Sequence, residues 1–391
     1  MSLNNKVVLF AWELGEGLGH LPPLKAIARA VKREGAKVVF ALREPEPARL
    51  ELGEFEAPVM QAPYWPAPVP PAMPSGSYAD ILLGNGYGTP AGIHKMVGAW
   101  DGVFELVRPD LVVCDHAPGA VLSAFGRIPV AVVGNGFAVP PCDSEVFPPF
   151  EPGQGERSRQ APVLAAIQEG MAALGRVPPK TICDPFRGAF RGVYSFSLFD
   201  TYRDVRPEAA LGPIEPPPAL TVLPRSRQLF AYSASNNPAA NELTQALMDL
   251  GSQASVFFRG TPGARGAVLK SRGVRLYDSA PALPSLMPEC SAVFSHGGPG
   301  FAHAALAAGR PHIVSPRHFE ALITGRRLEE IGAGILVHPF EPQLFREAVK
   351  RGFEDDAVRA AAQAAGAAAQ AFMKTARPLE TTIEALRNIL S

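Results

Sequence analysis

Short apolar runs alternate with amphipathic stretches along most of the 391-residue chain. Lys6–Trp12 is apolar after its first residue, the pattern of a strand buried on both faces. Leu24, Ile27, Ala28 and Val31 then recur at helical spacing up to about Glu34, and Pro22 and Pro23 fit a first helical turn. Lys37–Leu42 is a second apolar run, so the opening reads as a βαβ unit, which predicts a parallel sheet faced by helices. Tyr78–Val107 is predicted mainly helical with a break near Gly84–Gly92, Asp110–Asp115 and Ile128–Val133 are strands, a helix reaches about Leu174, and Gly192–Ser197 is a last strand. Residues 205–224 are dense in proline with little periodicity, as a linker would be. The pattern then restarts, with strands at Gln228–Ser233, Ser255–Phe258 and Gly273–Tyr277 and a helix at Ala239–Leu250. Helices follow at Phe340–Phe353, Ala357–Phe372 and Leu379–Leu390. The expectation is an α/β fold with domains at 1–204 and 225–374, the linker between them, and a terminal helix within 375–391.

Ser291–Gly334 carries the clearest chemistry. The strand Ser291–Ser295 runs into His296-Gly297-Gly298-Pro299-Gly300, and a helix with Ala302, Ala305 and Leu306 on its small apolar face follows until Gly309. Unpaired N–H groups at a helix N-terminus, glycines that let a ligand approach the backbone, and His296 as a further donor describe a phosphate site. A Gly-rich strand-to-helix turn is also common in α/β proteins without a ligand. The next strand, His312–Ser315, leads into Pro316-Arg317-His318-Phe319-Glu320, which puts a carboxylate beside the C-terminal edge of the sheet, able to accept from sugar hydroxyls.

In the first half, Gly15, Gly17 and Gly19 alternate and do not match the dinucleotide pattern GxGxxG. His20 follows them at the start of the helix. It reads either as a capping or core histidine, or as a general base if a carboxylate fixes its other nitrogen. Asp115, ending the strand Asp110–Asp115, supplies a carboxylate on the same sheet edge, although Asp is also a good helix cap. The Pro-rich segment Gln61–Ser77, with Tyr64 and Trp65, and the Pro- and Phe-rich segment Ala138–Gly155 after Phe137 read either as self-packed loops or as walls of an apolar acceptor pocket, to which His116 is a further candidate.

Composition narrows the class. With 37 basic and 37 acidic residues the formal charge is zero and no basic run appears, so a nucleic-acid surface is not expected. The four cysteines are scattered without CxxC or His-Cys spacing, which argues against a zinc site or a disulfide framework. No apolar run approaches the roughly 20 residues of a membrane span, and the amino terminus enters a strand without a charged-then-apolar leader, so a cytoplasmic protein is expected.

HGGPG, AALAAGRP, SPRHFE and RRLEEIGAG together resemble the donor-binding signature of the UDP-glycosyltransferase-like superfamily with the GT-B fold, as found in antibiotic-tailoring glycosyltransferases. GHLPP resembles its GHxxP entry. The resemblance implies two Rossmann-like domains facing across a cleft, with the terminal helix crossing back to the first. It places His296, Gly297, Gly298, Gly300 and Phe301 on the diphosphate turn, Phe301 where Thr is common, and Ser235 on a neighbouring diphosphate-binding turn. Glu320 falls on the sugar-binding acid, Ala321 where Gln is usual, and Ser279 where an aromatic often stacks on the base. His20 falls on the base that deprotonates the acceptor and Asp115 on its partner. The implied function is inverting, metal-independent transfer from a UDP- or dTDP-type sugar, a co-substrate with no further cofactor, to a hydroxyl of a small lipophilic acceptor. An epimerase or hydrolase on the same fold, and a non-catalytic binding or partner protein, are the competing readings.

Overall fold

The computed structural model describes residues 3–15, 17–65, 76–151 and 160–391. The chain forms two units, Met1–Glu215 with Arg377–Ser391, and Pro216–Ala376; the division falls inside the Pro-rich segment 205–224.

Unit 1 holds six parallel strands, β1 (Val7–Trp12), β2 (Lys37–Leu42), β3 (Val59–Gln61), β4 (Leu111–Asp115), β5 (Val130–Gly134) and β6 (Phe190–Val193), in the order β3-β2-β1-β4-β5-β6. β1, β4 and β5 are buried almost throughout because helices cover both faces, which is why they read as unbroken apolar runs. The helix Leu21–Arg33 turns Leu24, Ile27, Ala28 and Val31 into the core, and Pro22 and Pro23 sit in its first turn, where no N–H is needed. Full burial of each large aliphatic side chain there contributes about 1.5–3 kcal/mol. The segment between Tyr78 and Val107 breaks as expected, into helices Tyr78–Leu82 and Pro90–Val107 flanking a π-helical kink, Leu83–Tyr87, where Gly86 takes φ +89°. The helix Pro378–Leu390 packs on unit 1, with Ile383 and Leu386 in its core and Thr382 Oγ1 2.7 Å from Tyr194 Oη.

Unit 2 repeats the plan with β7 (Leu229–Ala234), β8 (Ala254–Arg259), β9 (Arg275–Tyr277), β10 (Ala292–Ser295), β11 (His312–Val314) and β12 (Gly334–Leu336), ordered β12-β11-β10-β7-β8-β9. Both sheets are α/β doubly wound, and in each the direction of winding reverses once, between β1 and β4 in unit 1 and between β7 and β10 in unit 2. Open sheets of this kind hold ligands outside the carboxyl ends of the strands at that reversal.

Two expectations need adjustment. The last strand of unit 1 is Phe190–Val193, not Gly192–Ser197, because its register with β5 pairs Phe190 with Ala131 and Val193 with Gly134, after which the chain turns away. The helices Pro45–Leu52 and Ala264–Ser271 and the strands β3 and β12 were not anticipated; each is short, and the strands have only three residues to show a period.

Candidate functional site

The reversal in unit 1 brings two side chains together. β1 and β4 pair in register, Trp12 beside Asp115, so the loop leaving β1 and the last residue of β4 share one sheet edge. His20 Nδ1 lies 2.9 Å from Asp115 Oδ1, with Asp115 buried and His20 17% exposed. Neither side chain caps a helix. Ala117, not Asp115, occupies the N-cap of the following helix, and His20 occupies its own N-cap without any side-chain capping bond. The imidazole stacks on Trp12, ring centroids 5.4 Å apart, and the Trp12 indole is fixed by a 2.7 Å bond to Leu14 C=O. Two glycines make the room. A Cβ on Gly15, whose φ is +87°, would lie 2.5 Å from His20 Nε2, and one on Gly134 would lie 2.8 Å from Asp115 Oδ1.

His116, held at φ +48°, packs its ring against His20, Tyr78 and Phe137 at 5.8, 6.0 and 6.2 Å. Burial, with His20 and Arg43 adding repulsion, pushes its pKa down to about 3, so it is a neutral imidazole. Phe137 stacks in turn on Phe150. Tyr64 and Trp65 behave differently: they are 44% and 39% exposed, capped by Arg43 and Lys95, and Trp65 lies over Gly86. Residues 66–75 of the Pro-rich loop and 152–155 of the second loop lie outside the described residues.

The sequence reading overlooked Glu13. It directly follows β1 and is fully buried, accepting from the Tyr87 hydroxyl, from Trp100 Nε1 at 3.1 Å and from Gly119 N–H at 2.8 Å. Burial raises its pKa to about 7 against the lowering effect of these bonds. One carboxylate thus ties the end of β1 to the π-helical kink, the helix Pro90–Val107 and the helix that follows Asp115. The only sequence signal was an acid at the end of an apolar strand.

In unit 2, Ser235 follows β7 and His296 follows β10, the two strands at the reversal. Gly298 is the N-cap of the helix Pro299–Ala307, whose first intrahelical bond runs from Ala302 N–H to Gly298 C=O, so the N–H groups of Gly300 and Phe301 belong to the open first turn. The Gly297 amide is engaged within the turn itself. Its N–H donates to Ser295 Oγ at 3.0 Å, its φ is +87°, and a Cβ would meet Val314 at 2.8 Å. Burial, then the nearby His318, Arg317 and Arg259, hold His296 down at about 4, so at neutral pH it is an uncharged ring in a basic surround. Ser235 Oγ donates to Arg259 C=O at 3.2 Å, and Arg317 reaches Asn236 Oδ1 at 3.5 Å. Arg259 ends β8 and Arg317 lies three residues beyond β11, strands that flank the β7–β10 pair, a setting suited to an anion.

Glu320 lies in the first turn of the helix Phe319–Glu330, half-buried, and not at the strand end itself. The side chains of Phe301 and Ala321 are both buried. The Phe301 ring packs against Phe230, Tyr232 and His312, leaving only its backbone N–H to the turn. Ala321 is fully buried against Gly297. Ser279 is exposed after β9. Among the described residues no group of three or more His, Cys, Asp or Glu is placed to hold a metal ion, and no helix is long and apolar enough to cross a membrane.

Residues 266–383 match the family described as erythromycin biosynthesis protein CIII-like, C-terminal domain. The elloramycin glycosyltransferase ElmGT of Streptomyces olivaceus is 30% identical over 244 residues, 59% of this chain and 58% of that protein. Matches to the first curated relatives span between 19% and 58% of their length. Among solved structures, the calicheamicin glycosyltransferase CalG4 superposes with a TM-score of 0.70 at 20% identity, covering 99% of this chain and 98% of CalG4. The spinosyn rhamnosyltransferase SpnG complexed with thymidine diphosphate gives 0.61 at 16% identity, covering 94% and 96%. At these identities the structural likeness establishes the GT-B fold.

Proposed function

From a chain that has the GT-B fold and belongs with the UDP-glycosyltransferase-like superfamily, we propose an inverting glycosyltransferase of the natural-product type, moving a sugar from a nucleoside diphosphate to a hydroxyl of a small lipophilic acceptor. The observation that carries the reading is the 2.9 Å contact between His20 Nδ1 and Asp115 Oδ1 at the winding reversal of unit 1. With Nδ1 engaged by the carboxylate, Nε2 is the nitrogen that takes the acceptor's proton, and Asp115 stabilises the imidazolium that forms. The acceptor oxygen attacks the anomeric carbon as the bond to the diphosphate breaks. A single displacement inverts that centre.

The leaving diphosphate needs its charge compensated as it develops. In this proposal the first turn of the helix Pro299–Ala307 and the cations Arg259 and Arg317 supply that compensation, so the reaction needs no metal. Glu320 accepts from sugar hydroxyls. His116 and Phe137 form the acceptor wall beside His20. Tyr64 and Trp65, carrying Arg43 and Lys95, are assigned to the acceptor side only as an outer rim. The thymidine diphosphate bound by SpnG supports a dTDP- or UDP-type donor. A thermal-shift screen against UDP-, dTDP- and GDP-sugars tests the donor reading, because a ligand bound only by the folded state raises apparent stability. Absence of any shift across the panel would favour a non-catalytic binding protein.

A further inference from the structure

Beneath the diphosphate turn lies a polar pair that the proposed reaction does not use. Ser295, the last residue of β10, and His312, the first of β11, are both fully buried. Ser295 Oγ sits 2.8 Å from His312 Nε2 and accepts the Gly297 N–H at 3.0 Å. His312 Nδ1 has no hydrogen-bond partner. Burial, with His296 adding repulsion, pushes the His312 pKa down to about 3, so the ring is uncharged at neutral pH.

A neutral histidine in the middle of a parallel sheet, with one nitrogen unsatisfied, is an expensive way to fill a core position. An apolar residue would fill it without that cost. What the ring does is hold the Ser295 hydroxyl, and either tautomer can, by donating to Oγ or by accepting from it. The hydroxyl in turn holds Gly297 at φ +87°, packed against Val314 and Ala321 where no Cβ fits. The Phe301 ring, 5.5 Å from His312, closes the pair from the helix side.

We propose that Ser295 and His312 are positioning residues: they lock Gly297 inward so that the next N–H groups of the turn, at Gly298, Gly300 and Phe301, face the donor's diphosphate. The claim deepens the donor-site reading above and rests on it. It also explains how the turn keeps its shape with Phe301 in place of a hydroxyl residue. The pair acts through the backbone and touches no phosphate itself.

The test uses the full chain and the variants Ser295→Ala, His312→Leu and His312→Gln, the last keeping an amide that can donate or accept. Titration calorimetry compares UDP and dTDP with uridine and thymidine, and amide hydrogen exchange follows Gly297 in the unliganded protein. Ser295→Ala and His312→Leu are expected to weaken diphosphate binding about tenfold, to leave nucleoside affinity unchanged and to lose Gly297 protection, while His312→Gln restores both. Ser295→Cys reads the same bond at nearly constant volume should the alanine variant not fold. Unchanged Gly297 protection in the Ser295 variants, or equal loss of nucleoside and diphosphate affinity, overturns the proposal. If the wild-type chain binds neither diphosphate, the donor reading has failed, and the Gly297 exchange still decides whether the lock exists.

Discussion

Gly15 and His20 are built around each other: a Cβ on Gly15 would stand 2.5 Å from His20 Nε2, the nitrogen assigned to take the acceptor's proton. Gly15 also holds φ +87°, a conformation costly to any L side chain. Gly15→Ala must therefore displace the imidazole or the loop. A displacement near 1 Å at a reacting group costs about 10²-fold in rate. The expected result is a fall of that order in kcat with nucleoside diphosphate affinity unchanged, read by steady-state kinetics and calorimetry on the same preparation.

Glu320 and Ala321 are neighbours with opposite fates, one half-buried in the first helical turn and one fully buried under Gly297. Glu320→Ala is expected to lose sugar selectivity while retaining nucleoside diphosphate binding, measured by competing donors and by calorimetry; equal loss of both would end its assignment to the sugar. Ala321→Gln is expected not to gain a sugar contact. Overpacking of a filled site should instead cost about 1–3 kcal/mol, visible as a lowered Tm.

Phe301 stands where the resemblance implies Thr, yet its ring fills core space among Phe230, Tyr232 and His312. Phe301→Thr removes that packing, and the loss is expected at about 3 kcal/mol in denaturant unfolding. Because the backbone N–H carries the residue's part in the turn, diphosphate affinity in the folded variant should change less than twofold.

Acid should destabilise the fold. His116 and His312 are held down to about 3, and His296 and His303 to about 4, from an ordinary 6.5, burial being the first cause in each case. For a lowered histidine the stability contribution is fully present above about pH 6.5 and is lost as the pH falls toward the folded value, since the unfolded chain binds protons first. Glu13, raised to about 7 from 4.5, opposes this, because the folded state takes up its proton first as the pH drops through 7. Thermal unfolding between pH 7 and 5 should show Tm falling, and falling more steeply in Glu13→Gln, where the opposing group is gone. A flat profile in both would contradict the burial of neutral histidines.

Much of this was legible in the sequence because the strands of a parallel sheet are buried on both faces and announce themselves as unbroken apolar runs, as β1, β4 and β10 do. The placement of His20 and Asp115 was readable too, Asp115 as the last residue of such a run and His20 eight residues beyond the end of another. What escaped the reading depends on contacts between residues far apart in the chain. Glu13 meets Tyr87, Trp100 and Gly119 across 74 to 106 positions, and nothing local distinguishes a buried acid from a helix-capping one. Ser295 and His312 belong to neighbouring strands, and their apolar flanks gave no hint that they face each other. Phe301 and Ala321 were visible as departures from the family pattern, while their burial, which explains them, was not.

The central claim is that His20, oriented by Asp115, removes the acceptor's proton. The most direct measurement is acceptor-dependent glycosyl transfer by His20→Ala, with donor binding followed in parallel on the same protein. The account predicts a loss of about 10²- to 10⁴-fold in transfer rate with nucleotide-sugar affinity intact. Transfer at the wild-type rate by a variant that still binds the nucleotide-sugar would contradict it.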